Sequence, residues 1–438
     1  TISCSLKDTG EIQNLSGMLS CNKMKIKIII TMALTISLYS CQTSNSGNDR
    51  FVHNINLDDA IVVDAPLISD FCDDIETIIL ETTDDALLSG IRKLVHVNDQ
   101  LYVLDINFRN RELSFVAEFD MDGKFMRRYG NVGRGPGEYI GITDFAIDEQ
   151  NGLMYLLDRP TGRLISYNLN NGKYEEDIRL SRDGIFCNVV ACVGNLIYTD
   201  LLYRKFDESN YMLKSFNKAN PEIENFYLPI GEHLKGWTDV SLANNNSFIY
   251  SGGNDYTFFS NKYSPEIFKL TTNGISNYIR IESEDFIDAT GRQVASAAWE
   301  GSNSPSSSRQ SPDQILSALD SFSGIGDYFE TDRFVVLSVR RGTSFPMFIY
   351  DKLSGVTQKT GSLNLDLFAK SEYPEARGLC MPLYADNDGV FYYTRPEMVE
   401  RLRTAAREGM LVDGLDRLDE LKQLKNDANP VLFYMKFK

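Results

Sequence analysis

Short apolar runs that end on a polar residue recur along the chain. They read Leu-Tyr-Val-Leu-Asp at 101–105, Met-Tyr-Leu-Leu-Asp at 154–158 and Leu-Ile-Tyr-Thr-Asp at 196–200. Weaker copies are Phe-Ile-Tyr-Ser at 248–251, Phe-Val-Val-Leu-Ser at 334–338 and Val-Phe-Tyr-Tyr-Thr at 390–394. Runs of this length, rich in β-branched and aromatic residues and bounded by turn residues, read as strands. Asn98-Asp99, Asn151-Gly152, Gly194-Asn195 and Asp388-Gly389 supply the turns before four of them. A second apolar run follows most copies and closes on a tight turn: 116–119 before Asp122-Gly123, 164–167 before Asn171-Gly172, 213–216 before Asn220-Pro221, 267–270 before Asn273-Gly274, and 347–350 before Ser354-Gly355. Asn-Gly and Asp-Gly supply the positive φ that tight hairpins need, so these runs pair antiparallel. A third strand such as 124–129, together with the strand leading into each copy, brings the unit to about four strands, which is a propeller blade. Six copies predict an all-β fold, a six-bladed β-propeller.

The chain ends support that count. The sixth unit stops at 431–437 without an outer strand, while Ile-Glu-Thr-Ile-Ile-Leu at 75–80 is a strand without a blade. Placing it in the sixth blade closes the ring. Two segments break the period. Residues 282–330 form a Ser-rich insertion in which Ser311-Pro312-Asp313-Gln314 reads as a capping box with Pro at N1, opening a short helix through Phe322. Residues 396–428 carry Leu411, Leu415, Leu418 and Leu421 at near-helical spacing, and Gly409 and Gly414 divide the segment into a helical pair. That pair falls between two strands of the last blade, with its apolar stripe against the propeller.

Upstream of the repeats, Met24 opens an export-type segment, with Lys25 and Lys27 followed by eleven mostly apolar residues from Ile28 to Leu38. Eleven residues fall short of the roughly 20 that span a bilayer. With Leu38, Tyr39 and Ser40 before Cys41, the segment resembles a bacterial lipoprotein signal. The resemblance implies cleavage before Cys41 and a lipid anchor on that residue, and Gln42 after it implies the outer membrane. Residues 1–23 read as an upstream extension, 24–40 as the signal, 41–69 as a tether, and 70–438 as the propeller.

Charge narrows the partners. The 438 residues include 44 Lys plus Arg against 61 Asp plus Glu, a net charge of −17. Removing residues 1–40, with four Lys, one Asp and one Glu, makes it −19. A chain of that sign repels a phosphate backbone, so nucleic acid is not an expected partner. His53, His96 and His233 show no metal-ligand spacing, and no metal or other cofactor is expected. Cys72, Cys187, Cys192 and Cys380 read as buried free thiols, because a domain this large needs no disulfide staples.

Residues 130–139, Gly-Asn-Val-Gly-Arg-Gly-Pro-Gly-Glu-Tyr, join the first blade to the second. They lack the Gly-Lys-[Ser/Thr] ending of a phosphate loop, and glycine here lets the chain cross between blades. This connection resembles the Gly-rich link of NHL-type propellers. Taken with Leu80-Glu81-Thr82-Thr83-Asp84, the signal segment and Asn429-Pro430-Val431-Leu432-Phe433, the chain resembles the six-bladed β-propeller lipoproteins of Bacteroidetes, NHL-like or TolB-like in shape. The resemblance implies a fold and a cell-envelope location more than an activity.

Propellers act at a mouth of the ring, where loops entering the inner strands converge. Candidate ligand-binding residues there are Arg134, Glu138, Trp237, Arg340, Arg341 and Arg377, with Asp144, Asn254 and Asp255 beside them. Adjacent cations at Arg340-Arg341 in an acidic chain would suit a carboxylated ligand. The reading is a lipid-anchored binding or scaffold module for a glycan, peptide or protein, with Trp299 and the two insertions as accessory surfaces. The alternative is a glycoside hydrolase or lyase, which would need two carboxylates about 5 to 9.5 Å apart. No Gly-x-Ser-x-Gly elbow is present.

Overall fold

The computed structural model describes residues 50–438 except 108–113, 181–184, 204–208, 237–247, 252–254, 262, 303–313 and 315–317. Its main sheets are six blades in a ring. Blade one comprises Ile91–Val97, Gln100–Asp105, Phe115–Asp120 and Phe125–Tyr129. Blade two comprises Ile142–Asp148, Leu153–Asp158, Arg163–Asn168 and Tyr174–Arg179, and blade three Val190–Val193, Leu196–Asp200, Tyr211–Asn217 and Asn220–Pro229. Blade four is built from Phe248–Ser251, Tyr256–Phe259, Glu266–Thr271 and Gly274–Glu282. Blade five is built from Phe322–Glu330, Phe334–Arg341, Met347–Asp351 and Thr357–Thr360. In each blade the strands pair in chain order, antiparallel, as the hairpin turns require. Strand alternation then buries one residue set against each neighbouring blade.

Blade six takes Met381–Ala385, Gly389–Tyr393 and Val431–Phe437 from the end of the chain and its outermost strand from the beginning. Three N-terminal strands, β1 (His53–Asn56), β2 (Ile61–Val62) and β3 (Cys72–Ile79), run along the rim. β1 pairs parallel with Gly274–Glu282 of blade four and β2 parallel with Thr357–Thr360 of blade five. β3 pairs antiparallel with Val431–Phe437, from Ile79 opposite Val431 to Cys72 opposite Phe437, and so closes the ring. The boundary expected at residue 70 falls inside this packed stretch, because Phe51, Ile55 and Leu57 are already buried.

Two contacts lock the closure. Gly123, in the last hairpin of blade one, has φ +84°, and a Cβ there would lie 2.2 Å from the Ile79 carbonyl oxygen. Only glycine permits both the conformation and the approach. Asn429 is buried and fully engaged: its Nδ2 donates to the carbonyls of Glu81 (2.7 Å) and Ala86 (2.6 Å), its Oδ1 accepts from the Leu88 amide (2.8 Å), and its own amide donates to Thr82 Oγ1 (2.9 Å). The two end segments singled out in the sequence meet through this side chain.

Two expectations need correction. Phe-Ile-Tyr-Ser at 248–251 is the inner strand of blade four, not its second strand, which is Tyr256–Phe259. Both strands carry a similar buried apolar run, so pattern alone does not order them. In the insertion before blade five, one helix is Ala289–Ser302, and Phe322 opens a strand instead of ending a helix; Gln314 is helical, and residues 311–313 and 315–317 of the expected capping box and helix lie outside the described residues. The last-blade insertion holds helices at Val399–Arg407 and Leu418–Leu421, and Leu402, Leu411, Leu415 and Leu421 bury into the same core as blades five and six.

Candidate functional site

Antiparallel pairing brings the first residues of the inner strands and the last residues of the second strands to one end of the ring: Ile91 faces Asp105, Ile142 faces Asp158, Phe322 faces Arg341, and Met381 faces Tyr393. The recurrent terminal Asp of the sequence repeat has its explanation here. Asp105 accepts from Ser89 N (2.9 Å), Ser89 Oγ (2.7 Å) and Gly90 N (3.1 Å). Asp158 Oδ1 accepts from the Ile140 and Gly141 amides at 3.3 and 3.1 Å, and Asp200 Oδ1 from the Asn188 and Val189 amides at 2.6 and 2.9 Å. In each of blades one to three the carboxylate therefore caps the two residues that lead into its own inner strand. It satisfies donors that no ladder reaches.

A charged junction crosses blades at the same end. Lys93 Nζ donates to Asp144 Oδ1 and to the Phe145 carbonyl, both at 2.7 Å, while Asp144 Oδ2 accepts from Val190 N at 2.7 Å. One buried carboxylate thus joins blades one, two and three. Arg159 Nη1 donates to Asn188 Oδ1 at 3.0 Å beside it. Burial pushes the Asp200 carboxyl up to about 7, against the pull of its two amide bonds, and the nearby Asp144 charge adds to the rise. Burial also raises Asp105, opposed by its Ser89 and Gly90 bonds. Arg92 is half-buried; burial lowers its pKa, while Asp144 and Tyr393 act the other way. Among the described residues no hydrogen-bond partner meets its guanidinium.

Asp327, on the inner strand of blade five, is solvent-exposed, yet surrounding protein raises its carboxyl by desolvation. Its amide donates to Ser338 Oγ at 2.8 Å. Ser338 also explains Gly326, where a Cβ would come within 2.5 Å of that hydroxyl.

Most of the described residues singled out in the sequence have local partners. Arg134 is exposed in the Gly-rich link, and Glu138 Oε2 accepts from the Gly135 amide at 2.7 Å. A Cβ on Gly133 would stand 2.0 Å from that same oxygen, so the glycines fit a folded link between blades. Arg341 is neutralised by Asp320 (2.8 Å) and Asp285 (3.0 Å), and Arg340 Nε donates to the Gly342 carbonyl at 3.1 Å. Arg377 Nη2 donates to the Ser371 carbonyl at 3.3 Å, and its Nε is buried with no hydrogen-bond partner among the described residues. Asp255 lies in the turn between the first two strands of blade four, at the opposite end from the mouth. Trp237, Asn254 and Cys41 lie outside the described residues, and Trp299 falls within the helix Ala289–Ser302.

At that opposite end His96 meets Asp386 at 3.0 Å, joining blades one and six, and Lys218 pairs with Asp148, joining blades three and two. His233 meets Glu266 at 2.9 Å near the rim. Among the described residues no cluster of three His, Cys, Asp or Glu could hold a metal, and Cys72, Cys187, Cys192 and Cys380 are free thiols.

Six closed blades define the chain as a six-bladed β-propeller. It belongs to a family described as a domain of unknown function, DUF4934, whose profile matches residues 52–436. Comparison with curated proteins gives no match. Among solved structures, a protein from Bacteroides fragilis described as exported is similar with a TM-score of 0.62 at 16% identity, over 88% of this chain and 99% of that one. A DUF4221 family member from Bacteroides vulgatus is similar at a TM-score of 0.47 and 10% identity, over 84% and 97% of the two chains. No helix among the described residues is long and apolar enough to cross a membrane.

Proposed function

We propose that the chain is a lipid-anchored cell-envelope binding module that takes a glycan, peptide or protein ligand at the inner-strand mouth. The observation that carries this reading is the commitment of the mouth's carboxylates. Asp105, Asp158 and Asp200 cap backbone amides, and Asp144 is held by Lys93 and Val190 N. Acid–base hydrolysis needs a free pair of carboxylates across a substrate, whereas binding needs only a shaped mouth with a few oriented polar groups. The exported description of the Bacteroides fragilis protein and the Leu-Tyr-Ser-Cys run at 38–41 support an envelope location and an anchor on Cys41. The Gly-rich link between blades one and two supports an NHL-like shape.

A screen of neutral and acidic glycans and of peptides against the chain from Gln42 onward, with a product assay on each hit, tests the reading. Saturable binding without turnover is the expected result; product formation would overturn it. The hydrolase alternative has one specific support, the exposed Asp327, and predicts that Asp327→Asn abolishes any turnover found. For the anchor, Cys41→Ala should move the protein from the membrane to the soluble fraction, and a variant that stays membrane-bound would remove lipidation from the account.

A further inference from the structure

Blades one and six meet where the two ends of the chain come together, and their seam at the mouth carries cations that the sequence pattern does not mark. The inner strands of the two blades, Ile91–Val97 and Met381–Ala385, pack side by side. On the blade-one side the register slips at Arg92: Ile91 faces Asp105 and Lys93 already faces Leu104. Such a bulge re-aims a side chain out of the regular pleat. On the blade-six side Met381, the first residue of the inner strand, faces Tyr393, the last residue of the second. Tyr393 packs against the core that blades one and six share, and it lies near enough to Arg92 to act on the guanidinium charge. Arg395, two residues further on, donates from Nε to Met381 Sδ at 2.9 Å. Arg92, Tyr393, Met381 and Arg395 therefore form one continuous run across the seam. Each keeps surface open to solvent: Arg92, Tyr393 and Met381 are part-exposed, and Arg395 is exposed.

The carboxylates around this run are already committed. Asp105 caps Ser89 and Gly90, and Asp144 is shared by Lys93 and Val190 N. Glu397 reaches Arg395 only at 3.9 Å, between side chains 66% and 52% exposed, where an ion pair contributes little. Among the described residues neither the Arg92 guanidinium nor the Tyr393 hydroxyl has a hydrogen-bond partner, and neither is sealed from solvent. Arg341, the cation that the sequence favoured, already has two carboxylates.

We propose that Arg92, Tyr393 and Arg395 form a subsite at this seam for an oxoanion, the carboxylate, sulfate or phosphate group of the ligand that enters the mouth. A guanidinium fork matches two oxygens of such a group side by side, and the Tyr393 hydroxyl donates to what remains. Met381, between the two cations, offers a soft apolar floor to the body of the ligand. A bound anion also offsets the burial that works against the Arg92 charge. The subsite rests on the reading that the mouth is the ligand site, and it adds the charge of the ligand.

The purified protein is titrated with sodium acetate, sodium sulfate and sodium phosphate at constant ionic strength, following the arginine Nε–Hε resonances by NMR. Saturable shifts of two resonances are expected, one absent in Arg92→Gln and the other in Arg395→Gln. Affinity should fall about tenfold in Arg92→Gln, as for loss of a charged hydrogen-bond donor, and severalfold in Arg395→Gln and Tyr393→Phe. Because Arg395 is exposed, Arg395→Gln should keep the wild-type melting temperature, and it carries the test if Arg92→Gln folds poorly. Arg333→Gln removes a cation paired with Asp351 at the opposite end of blade five and should leave affinity unchanged. Response to acetate alone marks a carboxylate ligand; response to sulfate or phosphate marks an ester of those acids. The subsite is overturned by equal affinity in wild type, Arg92→Gln and Arg395→Gln, by an equal loss in Arg333→Gln, or by no saturable response to any of the three ions. If a neutral ligand binds wild type and Arg92→Gln alike while no ion saturates, the subsite fails and the binding module stands. If the ions saturate at Arg92 while the ligand screen is empty, the subsite stands and the module reading fails.

Discussion

Asp158 and Asp200 occupy equivalent positions in blades two and three, and each accepts two successive amides through one carboxylate oxygen. Their second oxygens differ. Asp158 Oδ2 accepts from Thr161 Oγ1 (2.5 Å) and Arg163 Nη2 (3.2 Å), whereas Asp200 has no cation in hydrogen-bond contact among the described residues. Burial therefore holds the Asp200 carboxyl up at about 7, well above its unfolded value of about 3.9. The folded state then binds that proton more tightly than the unfolded state. The stability this contributes is full below about pH 4 and is lost as pH rises through about 7. Asp200→Asn keeps an oxygen for both amides and cannot ionise. At pH 8 its urea midpoint should equal or exceed that of wild type, and the gap should close by pH 5. Asp158→Asn leaves Arg163 without its buried counter-charge and should lose about 1–3 kcal/mol at both pH values. If the two variants respond alike at pH 8, the distinction between the two caps is wrong.

The rim strands make the corresponding statement for elements. β1 and β2 add a fifth strand to blades four and five, which are four-stranded without them, but β3 is the fourth strand of blade six. Deleting residues up to 66 strips the buried Phe51, Ile55 and Leu57, side chains worth about 1.5–3 kcal/mol each, while leaving the ring closed. Deleting through residue 80 also exposes the edge of Val431–Phe437 and opens the ring. Calorimetry should show a lower but single transition for the first deletion, and a much lower, broadened one for the second. An unchanged melting temperature after the second would show that closure contributes nothing. The closing strand was legible in the sequence because the last blade lacked a strand and 75–80 lacked a blade. β1 and β2 were not: they are four and two residues long, and Ile61 and Val62 remain exposed, so no buried alternation marks them. The candidate site was hidden for a related reason. The inner strands of blades one, two and five slip register at their second residue, which disturbs the alternation by a single residue, and the adjacency of Arg340 and Arg341 in sequence says nothing about the carboxylates of Asp285 and Asp320 that fold against Arg341.

At the scale of the molecule, a net charge of −17 and the half-buried Arg92 guanidinium on the inner strand of blade one would act on an anionic ligand with opposite sign and different reach. The acidic exterior repels the ligand during approach, over a Debye length of about 10 Å at 0.1 M salt and about 30 Å at 0.01 M. Arg92 sits half-buried at an inner strand and attracts at contact, where mobile ions screen less. Raising salt from about 10 to 100 mM therefore weakens the repulsion of encounter more than the attraction of the bound state. A ligand bearing several carboxylates, such as an oligomer of glucuronic acid, should associate faster over that interval while its dissociation rate changes little. Proteins that hold polyanions on a basic surface behave the other way, losing affinity steeply with added salt. Stopped-flow association at three salt concentrations distinguishes the two. A rate that falls with salt would mean that a positive field at the mouth outweighs the acidic exterior, and that net charge has no part in selecting what reaches Arg92.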